Sequence, residues 1–256
     1  KTTHTAPYRH KIRRMESENG MKITYLGHSG FLAETKGHYL LFDYYTGKLP
    51  VFLPEKKLIV FVSHSHQDHY NKEIYALQHG RQGITYVLSK DIRRKQAEEL
   101  IGKEHELLFV KAHEVYRLEE DEAVVETLRS TDAGVAYLVT VSEGDKKYRF
   151  YHAGDLNLWK WAEETKAHNN NMEANFRREM DRIRGRRFDI AFVPLDPRQE
   201  EFAFDGMDIF LETAEAKAVF PMHFWKHPEI IRTYLAKRPQ VKNMVSLREE
   251  GRTYEF

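Results

Sequence analysis

The sequence predicts an α/β fold, and three observations carry that expectation. Residues 21–43 contain three short apolar or alternating runs separated by Gly-containing turns, the pattern of a β-meander. From residue 58 onward, short apolar strands alternate with segments of helical period, the succession from which α/β domains are built. The 256 residues, 41% of them hydrophobic, suffice to bury one sizeable core in a single domain.

Taken in order, Met21-Lys22-Ile23-Thr24-Tyr25-Leu26 alternates as a half-buried strand does and stops at Gly27-His28-Ser29-Gly30. Residues 31–35 and 39–43 give two more strands about a Lys36-Gly37 turn. Leu58-Ile59-Val60-Phe61-Val62 is a continuous apolar run, read as a buried strand. Residues 71–80 then read as a helix, 85–88 as a strand and 90–100 as an amphipathic helix. Further short strands follow at 124–128, 135–141 and 148–152, a long helical segment at 159–187, and strands at 190–194 and 218–222. No repeat of fixed period is present, although the succession could be built as two similar halves.

Charge and composition narrow the function. Lys1, Arg9, Lys11, Arg13 and Arg14 crowd the first twenty residues against Glu16 and Glu18, so the overall +1 leaves a remainder near −2, ill suited to gripping a polyanion. Residues 1–20 lack apolar periodicity and read as an arm or extension, ahead of one domain over 21–256. With no cysteine, disulfides are excluded and a metal would be held by His, Asp or Glu. No apolar run reaches the roughly 18 residues that span a bilayer, and no charged-then-apolar leader opens the chain, so a cytoplasmic protein is expected.

The chemistry concentrates in Ser63-His64-Ser65-His66-Gln67-Asp68-His69, directly after the apolar strand. Imidazoles and a carboxylate fanning from a strand end can converge on a cation, and this cluster is rich enough to serve two. Strand ends also carry Tyr151-His152-Ala153-Gly154-Asp155 and Pro221-Met222-His223. Glycine before Asp155 permits a tight turn, and a carboxylate there could bridge two ions.

These motifs, in this order, resemble the metal motifs of the metallo-β-lactamase superfamily. Tyr25-Leu26-Gly27-His28-Ser29-Gly30 and Leu41-Phe42-Asp43 are similar to its single-domain branch, which includes ascorbate-6-phosphate lactonase-like proteins. The resemblance implies a four-layer αββα sandwich with a helical insert near 159–187. It implies that His64 and His66 hold a first metal, that Asp68, His69 and His223 hold a second, and that Asp155 bridges them. Two divalent ions follow, zinc first, with manganese or iron as alternatives. Di-iron oxygen-reducing relatives carry a carboxylate where this chain has His66, which favours hydrolysis over redox chemistry.

One ligand that the family supplies to the first metal, a histidine between the first cluster and the bridging aspartate, is missing. That region reads Arg129-Ser130-Thr131-Asp132-Ala133-Gly134, where Asp132 is the candidate replacement and His113 the lesser one; the alternative is an incomplete first site, with one metal bound or the first held only weakly. A water shared by two divalent metals loses a proton near neutral pH, with Asp68 as ligand and proton acceptor and His28 as a neighbouring catalytic or substrate contact. Asp196 and Arg198 are expected at the site mouth as substrate contacts, and the arginine-rich end of 159–187 as a lid over an anionic substrate. Trp159, Trp161, Phe224 and Trp225 are candidate pocket walls. The leading function is hydrolysis of a small anionic ester, lactone or phosphodiester. The alternatives are an RNA-processing nuclease, disfavoured by charge, and a non-catalytic metal-binding or sensing protein; a homo-oligomer is left open.

Overall fold

A computed structural model describes residues 20–256; the arm read at 1–20 lies, but for Gly20, outside the described residues. The first sheet opens with the expected meander, β1 (Lys22–Gly27), β2 (Gly30–Glu34) and β3 (His38–Phe42), all antiparallel. β4 (Lys57–Val62), β5 (Ile84–Ser89) and β6 (Glu106–Val110) then add in parallel. The second sheet runs β7 (Val115–Leu118), β8 (Ala123–Arg129), β9 (Val135–Glu143) and β10 (Lys146–His152) antiparallel, then β11 (Arg187–Pro194) and β12 (Glu215–Met222) parallel. A C-terminal β13 (Thr253–Glu255) returns to pair with β1. The helices are α1 (Arg94–Leu100), α2 (Lys166–Asp181), α3 (Asp205–Thr213) and α4 (Glu229–Lys237).

Side-chain alternation sets the layers. On β4, Ile59 and Phe61 enter the core between the sheets, while Leu58, Val60 and Val62 pack outward with Ile74, Tyr75 and α1's Ala97. Both faces of the strand are therefore covered, which is why the run is continuously apolar rather than alternating. On the other side, Phe176 and Met180 of α2, Phe210 of α3 and Tyr234 of α4 join the core of the second sheet. The result is the αββα sandwich.

Several elements depart from the sequence reading. Residues 71–80 form only a 3-10 turn, Lys72–Gln78, capped by Asn71. α1 starts at Arg94 because the preceding turn commits Asp91 to accepting the Ser65 N–H at 2.8 Å. The segment 159–187 contains α2, but it is not a lid. α2 is capped by Thr165, docks Phe176 and Met180 into the core, and its Glu179 accepts from His113 and from the Arg129 N–H. The arginines of 177–187 pair elsewhere: Arg177 with Glu173, Arg184 with Asp181, Arg186 with Glu126 and Arg187 with Glu215. The last two lie where β11 and β12 begin, and the metal-ligand motifs lie where these eight-residue strands end, roughly 25 Å away at about 3.3 Å per residue. No helix among the described residues is long and apolar enough to cross a membrane.

Candidate metal centre

The metal-ligand motifs and their neighbours reach one edge of the sandwich, because each follows a strand end there: His28 after β1, Asp43 after β3, the histidine cluster after β4, Asp155 after β10, Asp196 after β11 and His223 after β12. Parallel strands deliver their carboxyl ends to the same edge, which is where α/β sheets gather ligands. The chain turns sharply to do so. His28, Asp43, His223 and Trp225 adopt φ of 51°, 42°, 63° and 53°, a left-handed conformation that costs non-glycine residues about 1–3 kcal/mol each. Gly134 and Gly154 bring two loops of the second sheet against Ser63; a Cβ on Gly134 would lie 1.9 Å from the Ser63 carbonyl oxygen.

Donor atoms converge in three groups, and in one of them, Asp43 with His64 and His69, the Asp43 carboxylate is taken up by hydrogen bonds from Ser63 and His69, which leaves two sets. His64, His66 and Asp155 form one, and His28, Asp68, His69 and His223 the other, with the atoms of each set within 4.8 Å of one another. Asp155 stands between them: Oδ2 lies 3.3 Å from His64 Nε2, while Oδ1 lies 3.1 Å from His69 Nε2 and 3.4 Å from His223 Nε2. Ligands at about 2.1 Å around a tetrahedral ion sit about 3.4 Å apart, so these separations fit shared cations. The hydrogen bonding fits as well. Buried Nε2 atoms of His28, His64 and His69, together with Asp155 Oδ1, have no hydrogen-bond partner, a cost that a cation among them would remove.

The outer nitrogens are held by carboxylates. His69 Nδ1–H donates to Asp43 Oδ2 at 2.8 Å, and His223 Nδ1–H donates to Asp196 Oδ2 at 2.9 Å. Ser63 donates its hydroxyl to Asp43 Oδ2 at 2.6 Å and its N–H to Asp43 Oδ1 at 2.7 Å, leaving its oxygen to accept from His64 Nδ1 at 2.9 Å. His64, His69 and His223 are thus oriented with Nε2 turned inward, the usual device of metal-binding imidazoles. Asp43, fully buried, serves both sets. Its role was not legible in the sequence beyond its place at a strand end.

Electrostatics follow the packing. Burial acts to raise the carboxyls of Asp43, Asp68 and Asp155, yet the surrounding imidazoles outweigh it and hold all three below the ordinary range. Burial acts to lower His69, but Asp155 and Asp43 overcome it and push it up to about 10. Burial and the neighbouring His223 and His69 instead lower His28.

Several expected roles change. Asp196 is fully buried and spends its carboxylate on His223 and on the Arg198 guanidinium, so it orients a donor and does not contact substrate. Asp132 does not complete the first set: its half-exposed carboxylate lies 3.8 Å from His66 Nδ1 and outside the cluster. His113 is turned away to Glu179 at 2.9 Å. His152 is structural, donating from Nε2 to the Ser29 carbonyl at 2.9 Å and stacking on Phe42. His28 joins the second set rather than standing beside it. Trp159 donates to the Asp155 carbonyl at 2.8 Å and packs on His223, so it supports the bridging loop. Phe224 is buried, whereas Trp225 is 41% exposed and packs on His28 at 4.5 Å. The Arg198 guanidinium lies 4.6 Å above the Trp225 ring, which itself packs on His28.

Known proteins are similar to this chain to differing degrees. A family profile described as the beta-lactamase superfamily domain matches residues 22–172. A UPF0173 metal-dependent hydrolase of Opitutus terrae is 36% identical over 84 residues, covering 30% of this chain and 37% of that protein, so the chain spans little more than a third of this relative. Among solved structures, a metallo hydrolase from the archaeon Ignicoccus hospitalis superposes with a TM-score of 0.59 at 19% identity, covering 93% of this chain and 98% of its own. The metallo-beta-lactamase fold protein YhfI from Bacillus subtilis gives 0.55 at 14% identity, over 93% and 100%. CmlA, a diiron beta-hydroxylase from Streptomyces venezuelae, gives 0.58 at 13% identity, over 93% of this chain and 54% of that one. At such identities the likeness is one of fold.

Proposed function

This chain belongs to the beta-lactamase superfamily, and from that premise we propose that it is a metal-dependent hydrolase of a small organic anion, an ester, lactone or phosphodiester. The observation that carries the reading is Asp155, one carboxylate presenting separate oxygens to two sets of inward-facing imidazoles. His64, His66 and Asp155 would hold one divalent ion, and Asp68, His69, His223 and Asp155 the other. A donor set of imidazoles and carboxylates without thiolate suits zinc, with manganese or iron as alternatives. When bound, such a pair acidifies water and polarises the scissile group.

The remaining steps fall to side chains. Asp68, only partly buried and held ionised by His28 and His69, is placed to accept the proton of the attacking water. Arg198 is the substrate contact. Asp196 grips its Nε and Nη2, and Trp225 supports its face, so the guanidinium is presented at the mouth already ordered and able to take a carboxylate or phosphate. Tyr45 and Trp225, each 41% exposed and both against His28, flank the entrance and suit an apolar substrate body.

The test combines elemental analysis with a panel of carboxylate- or phosphate-bearing esters, lactones and phosphodiesters. Wild type should contain divalent metal and turn over at least one member; His64→Ala should lose turnover while keeping about one ion per chain, and Asp155→Ala, which removes the carboxylate between the two sets, should lose both metal and turnover. Full metal content without turnover across the panel would replace this reading with a non-catalytic metal-binding one.

A further inference from the structure

The two donor sets are unequal. The second gathers His28, Asp68, His69 and His223, and Asp155 Oδ1 reaches both His69 and His223. The first gathers His64, His66 and Asp155 Oδ2, and Asp132 stays outside it. Enclosure differs as well. The side chains of His28, His69 and His223 are 5%, 0% and 4% exposed, whereas that of His66 is 51% exposed.

His28 decides the imbalance. Its Nε2 is buried and has no hydrogen-bond partner, although Asp68 Oδ2 is only 3.2 Å away; the two atoms lie side by side without donor alignment, as two ligands of one ion do. A residue holding a left-handed φ of 51° to bring its ring there, against His223 at 4.3 Å and Trp225 at 4.5 Å, is placed by the fold and not by chance of rotamer.

Resting on the metal-dependent reading above, we infer that His28 is a fifth protein donor of the second site, so that the two sites fill in fixed order. The second, enclosed and rich in donors, takes the first equivalent and retains it. The first, with three donors and an exposed rim, binds weakly and keeps open positions for water and substrate. Structural metal sites are closed by protein ligands and catalytic ones keep an open position; here one bridged centre divides those duties.

The experiment is calorimetric titration of chelator-stripped protein with zinc chloride, and separately with cobalt chloride while following visible absorption. Wild type should show two steps separated by at least about 100-fold in affinity and should retain one ion through desalting. His28→Ala should weaken the tight step by about 10–100-fold and shift the cobalt spectrum toward fewer ligands, leaving the weak step in place. His66→Ala should remove the weak step alone. If His28→Ala does not fold, His28→Phe, which keeps the ring packing, should give the same loss. Two steps of equal affinity, or a tight step and cobalt spectrum unchanged in a folded His28 variant, would overturn the inference while leaving the hydrolase reading intact. No binding of either ion by wild type would remove both.

Discussion

Replacing Asp43 by Asn tests whether one buried carboxylate orders both donor sets. Asp43 accepts from Ser63 Oγ at 2.6 Å, from Ser63 N at 2.7 Å and from His69 Nδ1 at 2.8 Å, at zero exposure. An amide has one acceptor oxygen and one donor group. With nitrogen at the Oδ1 position, the Ser63 N–H faces a donor; with nitrogen at Oδ2, both the Ser63 hydroxyl and His69 do. The milder orientation strands one buried donor, costing about 1–3 kcal/mol. At about 2–4 °C per kcal/mol for a domain of this size, the melting temperature should fall by roughly 2–12 °C. The larger effect is on metal: with His69 no longer tied to an anion, and His64 loosened through Ser63, affinity should fall about 10–100-fold. Thermal denaturation and competition against a chromophoric chelator measure the two quantities. A variant within about 1 °C and about twofold of wild type would show that packing, not Asp43, fixes these imidazoles.

Further expectations follow from the same geometry. Because Asp155 and Asp43 push His69 up to about 10, this favourable pairing is full below the ordinary histidine value and is lost as pH rises toward 10. A metal must displace that proton, so apparent metal affinity should climb with pH across that window by up to about tenfold per unit, and a calorimetric profile flat with pH would contradict it. Gly134→Ala adds a Cβ 1.9 Å from the Ser63 carbonyl at φ +68°, so beyond about 1–3 kcal/mol of backbone strain it should displace Ser63 and His64, seen as lowered thermal stability together with lost metal. Glu143 accepts from Thr35 Oγ, Gly37 N and His38 Nδ1; burial opposes its ionisation, but these bonds hold its carboxyl below the ordinary range. Its contribution is therefore present above about pH 4.5 and lost as pH falls through the lowered value, so Glu143→Gln should cost about 1–3 kcal/mol at neutral pH and flatten the acid limb of a denaturation profile. Arg198→Ala should raise KM for anionic substrates about tenfold or more while metal content stays at the wild-type level, and an equal effect on neutral substrates would deny it the anion contact.

The local chemistry of this chain was readable because it is local. Residues 63–69 place metal-binding side chains next to one another, the apolar run before them marks a strand, and Gly154 before Asp155 marks a strand-end turn; each signal lies within a window of ten residues. The meander at 21–43 and most later strands followed from alternation, and the resemblance of the motifs supplied the layering. β6, β7, α3, α4 and β13 went unread. β6 and β7 have partly buried, weakly alternating patterns, and the pairing of β13 with β1 joins residues more than 200 apart.

What the sequence determined by itself was the inventory: an α/β chain carrying enough histidine and aspartate at strand ends to hold metal. What only the tertiary structure decided was the duty of each residue. Asp196 and Arg198 are two apart in sequence, yet one is sealed beneath His223 and the other lies half-exposed over the Trp225 ring. The arginines of 177–187 suit an anionic substrate by composition, yet in the fold Arg177, Arg184, Arg186 and Arg187 pair with Glu173, Asp181, Glu126 and Glu215. Asp132 fell short of the cluster and His28 entered it. A side chain's role here depends on which nitrogen faces a carboxylate and which faces the centre, and those directions are set by strands meeting across two sheets, which no window of neighbouring residues encodes.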